Sequence, residues 1–408
     1  NTGTVTGVTG TFSNIQNLVG GSSNDSFVFS NAATLAGTVD GGAGGINTLD
    51  FTAYSTSVGI TLTGSNPFGY SGTTSGSPNP TGGFAQITAI DLPALANALN
   101  LNAVSSTVLI NSSAATNLFN LTVEQSGVPN LTFGNVSTVN GGTGVGVTNT
   151  LQSNEGTNNT WTLISANGGT YNDSQLLTFS NFADLVGSIG NDSFVLAGGS
   201  VTNINGGAGG NSLTGDNAGD AFNITGVNAG NITGLVTSFT NVQNLTGGSG
   251  NDSFTLASGI VSFNGSITGG GGVDTLAATD GSNAWQISGA NAGTLNSTTV
   301  FSGISNLTGG MGNDSFTLAG GTLSGSINGG AGINTLTGDN GANSWTVTGA
   351  NTGTVTGVTG TFSNIQNLVG GSSNDSFVFS NAATLAGTVD GGAGGINTLD
   401  FTAYSTSV

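Results

Sequence analysis

GGMGNDSFTL, residues 309–318, joins a glycine-rich turn to a short alternating strand. Its glycines and its Asn-Asp pair tolerate left-handed backbone, and Phe316 and Leu318 then fall on one side of an extended segment. Related stretches recur: GGSSNDSF at 20–27 and 370–377, GSIGNDSF at 187–194, GGSGNDSF at 247–254 and GGGGVDTL at 269–276. A second glycine turn follows such a stretch after about 20 residues, as in GGAGINTL at 329–336. The local pattern is turn, short strand, turn.

Working outward, residues 1–58 recur without a change as 351–408, an offset of 350. Identity over that length predicts a tandem array of 350-residue modules. Inside the module a degenerate repeat is marked by Trp161, Phe222, Trp285 and Trp345, which recur in steps of roughly 60 residues. Val58 stands where the next such residue is expected, and the interval from it to Trp161 is longer than the others. The predicted organisation is therefore the end of a module (1–58), an enlarged unit (59–160), and repeat units at 161–221, 222–284, 285–344 and 345–408.

Each unit runs from a Trp or Phe strand through a Gly/Thr-rich strand pair, a segment like FSNIQNL, and the two glycine turns. A spacing of roughly 20 residues predicts an all-β fold, a parallel β-solenoid, helix-like or roll-like. Its coils cannot bury their Val, Leu, Ile and Phe alone and stack on neighbours that can. Tandem immunoglobulin-like sandwiches would need a period of about 100 residues. In the enlarged unit, 66–83 reads as a Pro/Gly/Ser loop and DLPALANALN (91–100) as a short helix that Asp91 caps, together a decoration on the solenoid.

Composition removes whole classes of function. The 408 residues include 74 glycines, 19 acidic residues and no Lys, Arg, His or Cys. Without cations there is no patch for phosphates or anionic lipids, and no run approaches the length of a transmembrane helix, so neither nucleic acid nor membrane insertion is expected. Acid–base and oxyanion chemistry usually recruits His, Lys or Arg. Carboxylate pairs can still hydrolyse glycosides, and Asp216/Asp220 and Glu124/Glu155 are the pairs available, but a non-enzymatic role is expected. Trp161, Trp285 and Trp345 read as core rather than as a sugar-binding face. The Thr runs read as solvated β-faces rather than an ice-binding array.

The turns GGSGNDSF, GGMGNDSF and GGGGVDTL fit the pattern GGxGxDxUx, with U apolar. They resemble the hemolysin-type, or repeats-in-toxin, calcium-binding nonapeptide, and the wider wording is similar to giant bacterial surface proteins that carry it. The resemblance implies calcium as the one cofactor. Asp252, Asp274 and Asp314 would be its ligands, with Asp25, Asp192 and Asp375 in the imperfect copies. Departures from the family pattern are plain: the motifs are not in tandem, Asn211, Asn334 and Asn397 replace Asp in second turns, Ser188 replaces a second glycine and Ser373 a third. Calcium takes six to eight oxygens, usually with several carboxylates, and only Asp252 and Asp274 fall in consecutive coils. The other reading of the same residues is turn chemistry and Asn/Asp ladders.

The expected function is a structural segment of an extracellular or cell-surface fibre such as an appendage, sheath or biofilm-matrix filament. Its main partner would be itself, with lateral association and contact with surfaces or polysaccharide in addition. The alternative is the calcium-responsive stalk of a giant adhesin. On coils of this length, one module should advance on the order of 80 Å.

Overall fold

In the computed structural model, residues 2–260 and 262–407 are described, and the chain divides into two compact bodies, 1–209 and 210–408. Both are all-β and built from stacked coils, as the spacing of the glycine turns predicts. No α-helix is present among the described residues.

In the body 210–408 the chain crosses at each turn between two ladders of strands. Leu245, Ile267 and Phe301 lie in parallel register on one ladder. Phe222, Phe254, Leu276, Leu307, Ile327 and Phe362 do so on the other. Successive partners are separated by two kinds of interval. The shorter runs from Phe316 to Leu336 or from Phe254 to Leu276, and the longer from Leu276 to Leu307 or from Ile327 to Phe362. The longer coils carry an antiparallel meander, for example Ala284–Gly289, Ala292–Leu295 and Thr299–Ser302. The strands are short and alternate buried with half-exposed residues, so each ladder gives its apolar side to the core and its Ser, Thr and Asn side to solvent.

A meander places three strands on one ladder, where an ordinary crossing places one. A unit therefore holds seven strands: the meander, then Asn306–Thr308, Ser315–Leu318, Ile327–Asn328 and Thr335–Thr337 in turn. Seven is odd, so the next meander, Ser344–Gly349 to Val358–Ser363, falls on the other ladder. Two consecutive units then add seven rungs to each ladder, and neither face outgrows the other. The meander's middle strand needs glycine at one point. A Cβ at Gly293 would overlap the ring of Phe301 and the carbonyl of Gln286, and Gly230 and Gly353 are in the same situation under Phe239 and Phe362. The hairpin turns before them place Asn228, Asn291 and Asn351 in the left-handed region.

The body 1–209 has the same two ladders, and it corrects the reading of the enlarged unit. The segment 66–83 is no loop: it completes a meander of Gly59–Asn66, Gly69–Ser75 and Thr81–Ile87. A second meander, Thr107–Ala115, Leu118–Glu124 and Leu131–Asn140, lies on the opposite ladder. Its last strand then pairs with Asn97–Asn100 and Leu176–Ser180 on the first. With Leu131–Asn140 serving one ladder by its first half and the other by its second, the enlarged unit is two shortened units of five strand passes, each lacking one coil. DLPALANALN is not a helix but a strand, a turn and the strand Asn97–Asn100. Asn97 fixes the turn, accepting from Val58 N at 2.9 Å and donating to the carbonyls of Pro93 and Leu95 at 2.7 and 2.8 Å. The leucine spacing that suggests a helical face arises because Leu92 and Leu99 are buried on either side of that turn. Ile60, facing Leu99, occupies the place of Trp161, facing Phe194; Val58 sits two residues earlier. Val58, Ile60 and Leu62 are all buried, so alternation alone does not choose among them.

Candidate turn-ladder site

Away from the last coil, the motif turns that end in Asp or Asn place that side chain two residues before an apolar residue of the ladder, and most of these side chains are buried. Asp314 and Asn334 are 2 % and 0 % exposed. Their oxygens cap the backbone of the coil before: Asn283 N donates to Asp314 Oδ1 at 2.8 Å, Asp314 N to Asn334 Oδ1 at 2.9 Å, and Asn334 N to Gln366 Oε1 at 2.7 Å. Asn343, Asp375 and Asn397 repeat the column at 2.8 and 2.9 Å. In the body 1–209, Asn159 N donates to Asp192 Oδ1 at 3.0 Å and Asp25 N to Asn47 Oδ1 at 3.2 Å. These bonds satisfy turn N–H groups that the strands cannot reach, and an unsatisfied buried N–H costs about 1–3 kcal/mol. The first glycine of each motif is there for space: a Cβ at Gly309 would overlap Asp314 Oδ2 and the carbonyl of Gly329.

One column differs. Asp220, Asp252 and Asp274 stack as three carboxylates, with Asp220 N donating to Asp252 Oδ1 at 2.7 Å and Asp252 N to Asp274 Oδ1 at 2.8 Å. At the position of Asp220 the related columns have Asn283 and Asn343, whose Nδ2 atoms donate to the next aspartate at 2.9 Å. Asp220 aligns with the motif aspartates in GDNAGDAF (215–222), and the signal that reveals it is an Asp or Asn two residues before the inward aromatic. The same spacing marks Asn159, Asn283 and Asn343, which the glycine pattern alone misses.

The second carboxylate oxygens are the anomaly. Oδ2 of Asp252, Asp274, Asp314 and Asp375 is buried without a hydrogen-bond partner. Burial raises Asp192, Asp252, Asp274 and Asp314 above the ordinary carboxylate range. Burial, then the charges of Asp216 and Asp252, pushes Asp220 up to about 6. Where Ser188 replaces a glycine, its N–H and hydroxyl serve Asp192 Oδ2 at 2.6 and 3.1 Å. As a calcium cradle the columns fit only in part. Asn–Asp–Asn columns supply one carboxylate each, and no group of three acidic side chains among the described residues could hold a metal. The Asp220–Asp252–Asp274 column offers two neighbouring carboxylates at a time.

The glycosidase pairs do not form clefts. Asp216 and Asp220 belong to one closed turn, Asp216 N donating to Asp220 Oδ2 at 2.8 Å. Glu124 pairs with Thr107 at one end of the paired strands 107–110 and 150–153, and Glu155 lies past the other end. A concavity lined by Ser106, Glu124, Gln125, Asn130 and Thr150 holds a single carboxylate. Glu155 instead accepts from the Tyr171 hydroxyl at 2.9 Å. Burial and then Asp173 push it up to about 7.

Raised carboxyl pKa values fix the sign of the pH dependence. The folded state binds protons more tightly than the unfolded one, so the stability they contribute is present below about pH 4 and is lost as pH rises through 6 to 7. The melting temperature should fall by about 5 °C between pH 5 and pH 8, and Glu155→Gln should remove part of that fall. A melting temperature that rises over this interval would contradict the assignment.

Trp161, Trp285 and Trp345 are 0 %, 1 % and 0 % exposed, which makes them core. No protein-family model matches the chain, and no curated protein is found to be similar to it.

Proposed function

We propose that the chain is a segment of an extracellular structural fibre: a β-solenoid without enzymatic activity, continued from module to module. The observation that carries this reading is the identity of 1–58 with 351–408, which gives both ends the same strand sequences. Coils that stack by backbone ladders and apolar contact need no charged partner, consistent with a chain that has no Lys or Arg. Such a chain also presents no site to trypsin-like proteases. Seven rungs span the residues from Leu245 to Leu368. At roughly 4.8 Å per rung, a 350-residue module should advance about 90 Å. Electron microscopy of filaments assembled from tandem modules tests this, and an axial repeat outside about 75–105 Å would exclude the stacking.

The calcium-responsive stalk is the second reading, and the unpartnered Oδ2 atoms favour it. Asp252 and Asp274 would hold the ion with turn carbonyls, and Asp192, Asp314 and Asp375 would hold it more weakly. Because the columns are already closed by backbone N–H donors, chelation of divalent cations should lower the melting temperature by no more than about 3 °C, while lateral contacts between fibres loosen. Unfolding on chelation would favour the stalk over the fibre.

A further inference from the structure

Every acidic residue from Asp216 to Asp375 lies in a turn, and no strand from Ser212–Thr214 to Ser376–Phe379 carries one. Strand-borne carboxylates occur elsewhere: at Asp40, Asp50, Asp91, Glu124 and Asp184 in the other body, and at Asp390 and Asp400 in the last coil. The charge-free coils are thus inner coils, with Phe222 on one side of them and Leu399 on the other. Their solvent side is made mainly of Thr, Ser and Asn. On the ladder of Phe222, Thr255, Ala277, Thr308, Asn328 and Ser363 follow one another in register. On the opposite ladder Asn244, Ser266 and Val300 do the same, and the Ser266 hydroxyl donates to Asn244 Oδ1 at 2.7 Å. The rings of Phe254, Trp285, Phe316 and Trp345 are buried on the inner side. Val227, Val273, Met311 and Ile333 are exposed, but they sit singly in turns.

We propose that these two outward faces, between Ser253 and Phe379, are lateral docking surfaces, and that each takes a second copy of this chain. The inference rests on the fibre reading. The faces have no cation for a phosphate, no ring to stack on a sugar and no contiguous apolar patch for lipid. A second copy meets each remaining requirement. Hydroxyls and carboxamides both donate and accept, so such a face complements itself. Its rungs repeat at the same spacing, roughly 4.8 Å, so contacts made at one rung recur at the next. Charge decides where two copies can meet. Chains with no Lys, Arg or His repel wherever turn carboxylates approach, and only the faces avoid this. From Phe254 to Phe379 one face is about 34 Å long and roughly 12 Å wide. A face-to-face pair of single chains would bury about 800 Å², below the ~1,200 Å² of a stable interface. The contact therefore becomes firm only when modules repeat in tandem.

The test uses filaments of tandem modules and reads fibre width by electron microscopy. Parent fibres should lie side by side in bundles. Thr255→Glu and Thr354→Glu charge one face, and Gln286→Glu and Val300→Glu the other, all at exposed positions. The combined variant should give separate single fibres. The control adds the same charge at turns, through Val227→Glu, Val273→Glu, Met311→Glu and Ile333→Glu, and should stay bundled. Screening of turn carboxylates is the only task left to cations, so sodium chloride should restore bundles loosened by chelation. An unchanged axial repeat shows that a variant folds, and Gln286→Glu with Thr354→Glu serves if the fourfold variant does not. Isolated parent fibres, bundles that survive the face charges, bundles that the turn charges disperse as fully, or bundles that only divalent ions restore would overturn the proposal. An axial repeat outside the range given above would instead remove the fibre reading itself.

Discussion

Trp285→Ala is expected to destabilise the body 210–408 by about 3–5 kcal/mol, enough to lower its melting temperature by roughly 10 °C. The indole stacks on Phe316 at 5.7 Å and 8° and meets Phe301 edge-on at 6.1 Å. Truncation would leave a ring-sized void between two coils whose spacing is set by backbone ladders and cannot close. Trp285→Phe should cost about 1 kcal/mol or less. Phe222 holds the equivalent position and stacks on Phe254 at 4.6 Å. The indole N–H of Trp285 is buried without a partner, so phenylalanine also removes an unsatisfied donor. Thermal scans of both variants, followed by circular dichroism, measure the pair. Equal losses for alanine and phenylalanine would show that a stacked ring at this position contributes nothing by itself.

How much of this is legible in the sequence depends on which residues carry the signal. Regularly spaced glycine turns announce stacked coils, and the Trp/Phe spacing announces the unit. Both hold because a turn that must accommodate Asp314 over Gly309 permits few residue types. The enlarged unit misleads because that chemistry changes there. PALAN makes its turn without glycine, using Pro93 and Asn97, and its leucines mimic a helical face. The strands around NPFGY look like loop because their buried residues include Gly, Thr and Tyr as well as large aliphatics. At the turn columns the motif locates Asp252, Asp274 and Asp314, yet it gives no hint that Oδ1 is taken by the backbone of the previous coil. That bond depends on register between coils, which a pattern within one coil does not encode. Asp220 is readable only by counting back from Phe222.

Register between coils also predicts which deletions the fold accepts. Removing residues 317–336 takes out one short coil and joins Phe316 to Thr337. The unit drops from seven strands to five, the number in each half of 59–160, and five is still odd. Phe316 would take the place of Leu336 beneath Leu368, Leu307 would meet Phe362, and the next meander would stay on its own ladder. This variant should fold cooperatively, with a melting temperature within about 5 °C of the parent. Removing only residues 319–328 takes out the strand Ile327–Asn328 and its leading turn, half as much chain. The strand count becomes even, so every later strand changes ladder. The meander Ser344–Gly349 to Val358–Ser363 would then fall on the same ladder as Ala284–Gly289 to Thr299–Ser302. One face would carry four rungs more than the other, roughly 19 Å at the spacing of stacked strands. Turns of five or six residues reach about 20 Å only when fully extended, and these are tightly folded around their Asp and Asn columns. The smaller deletion should therefore be the worse one, lowering the melting temperature by more than about 10 °C or abolishing the cooperative transition. Equal tolerance of the two deletions would mean that the alternation of meanders between ladders is incidental to stability.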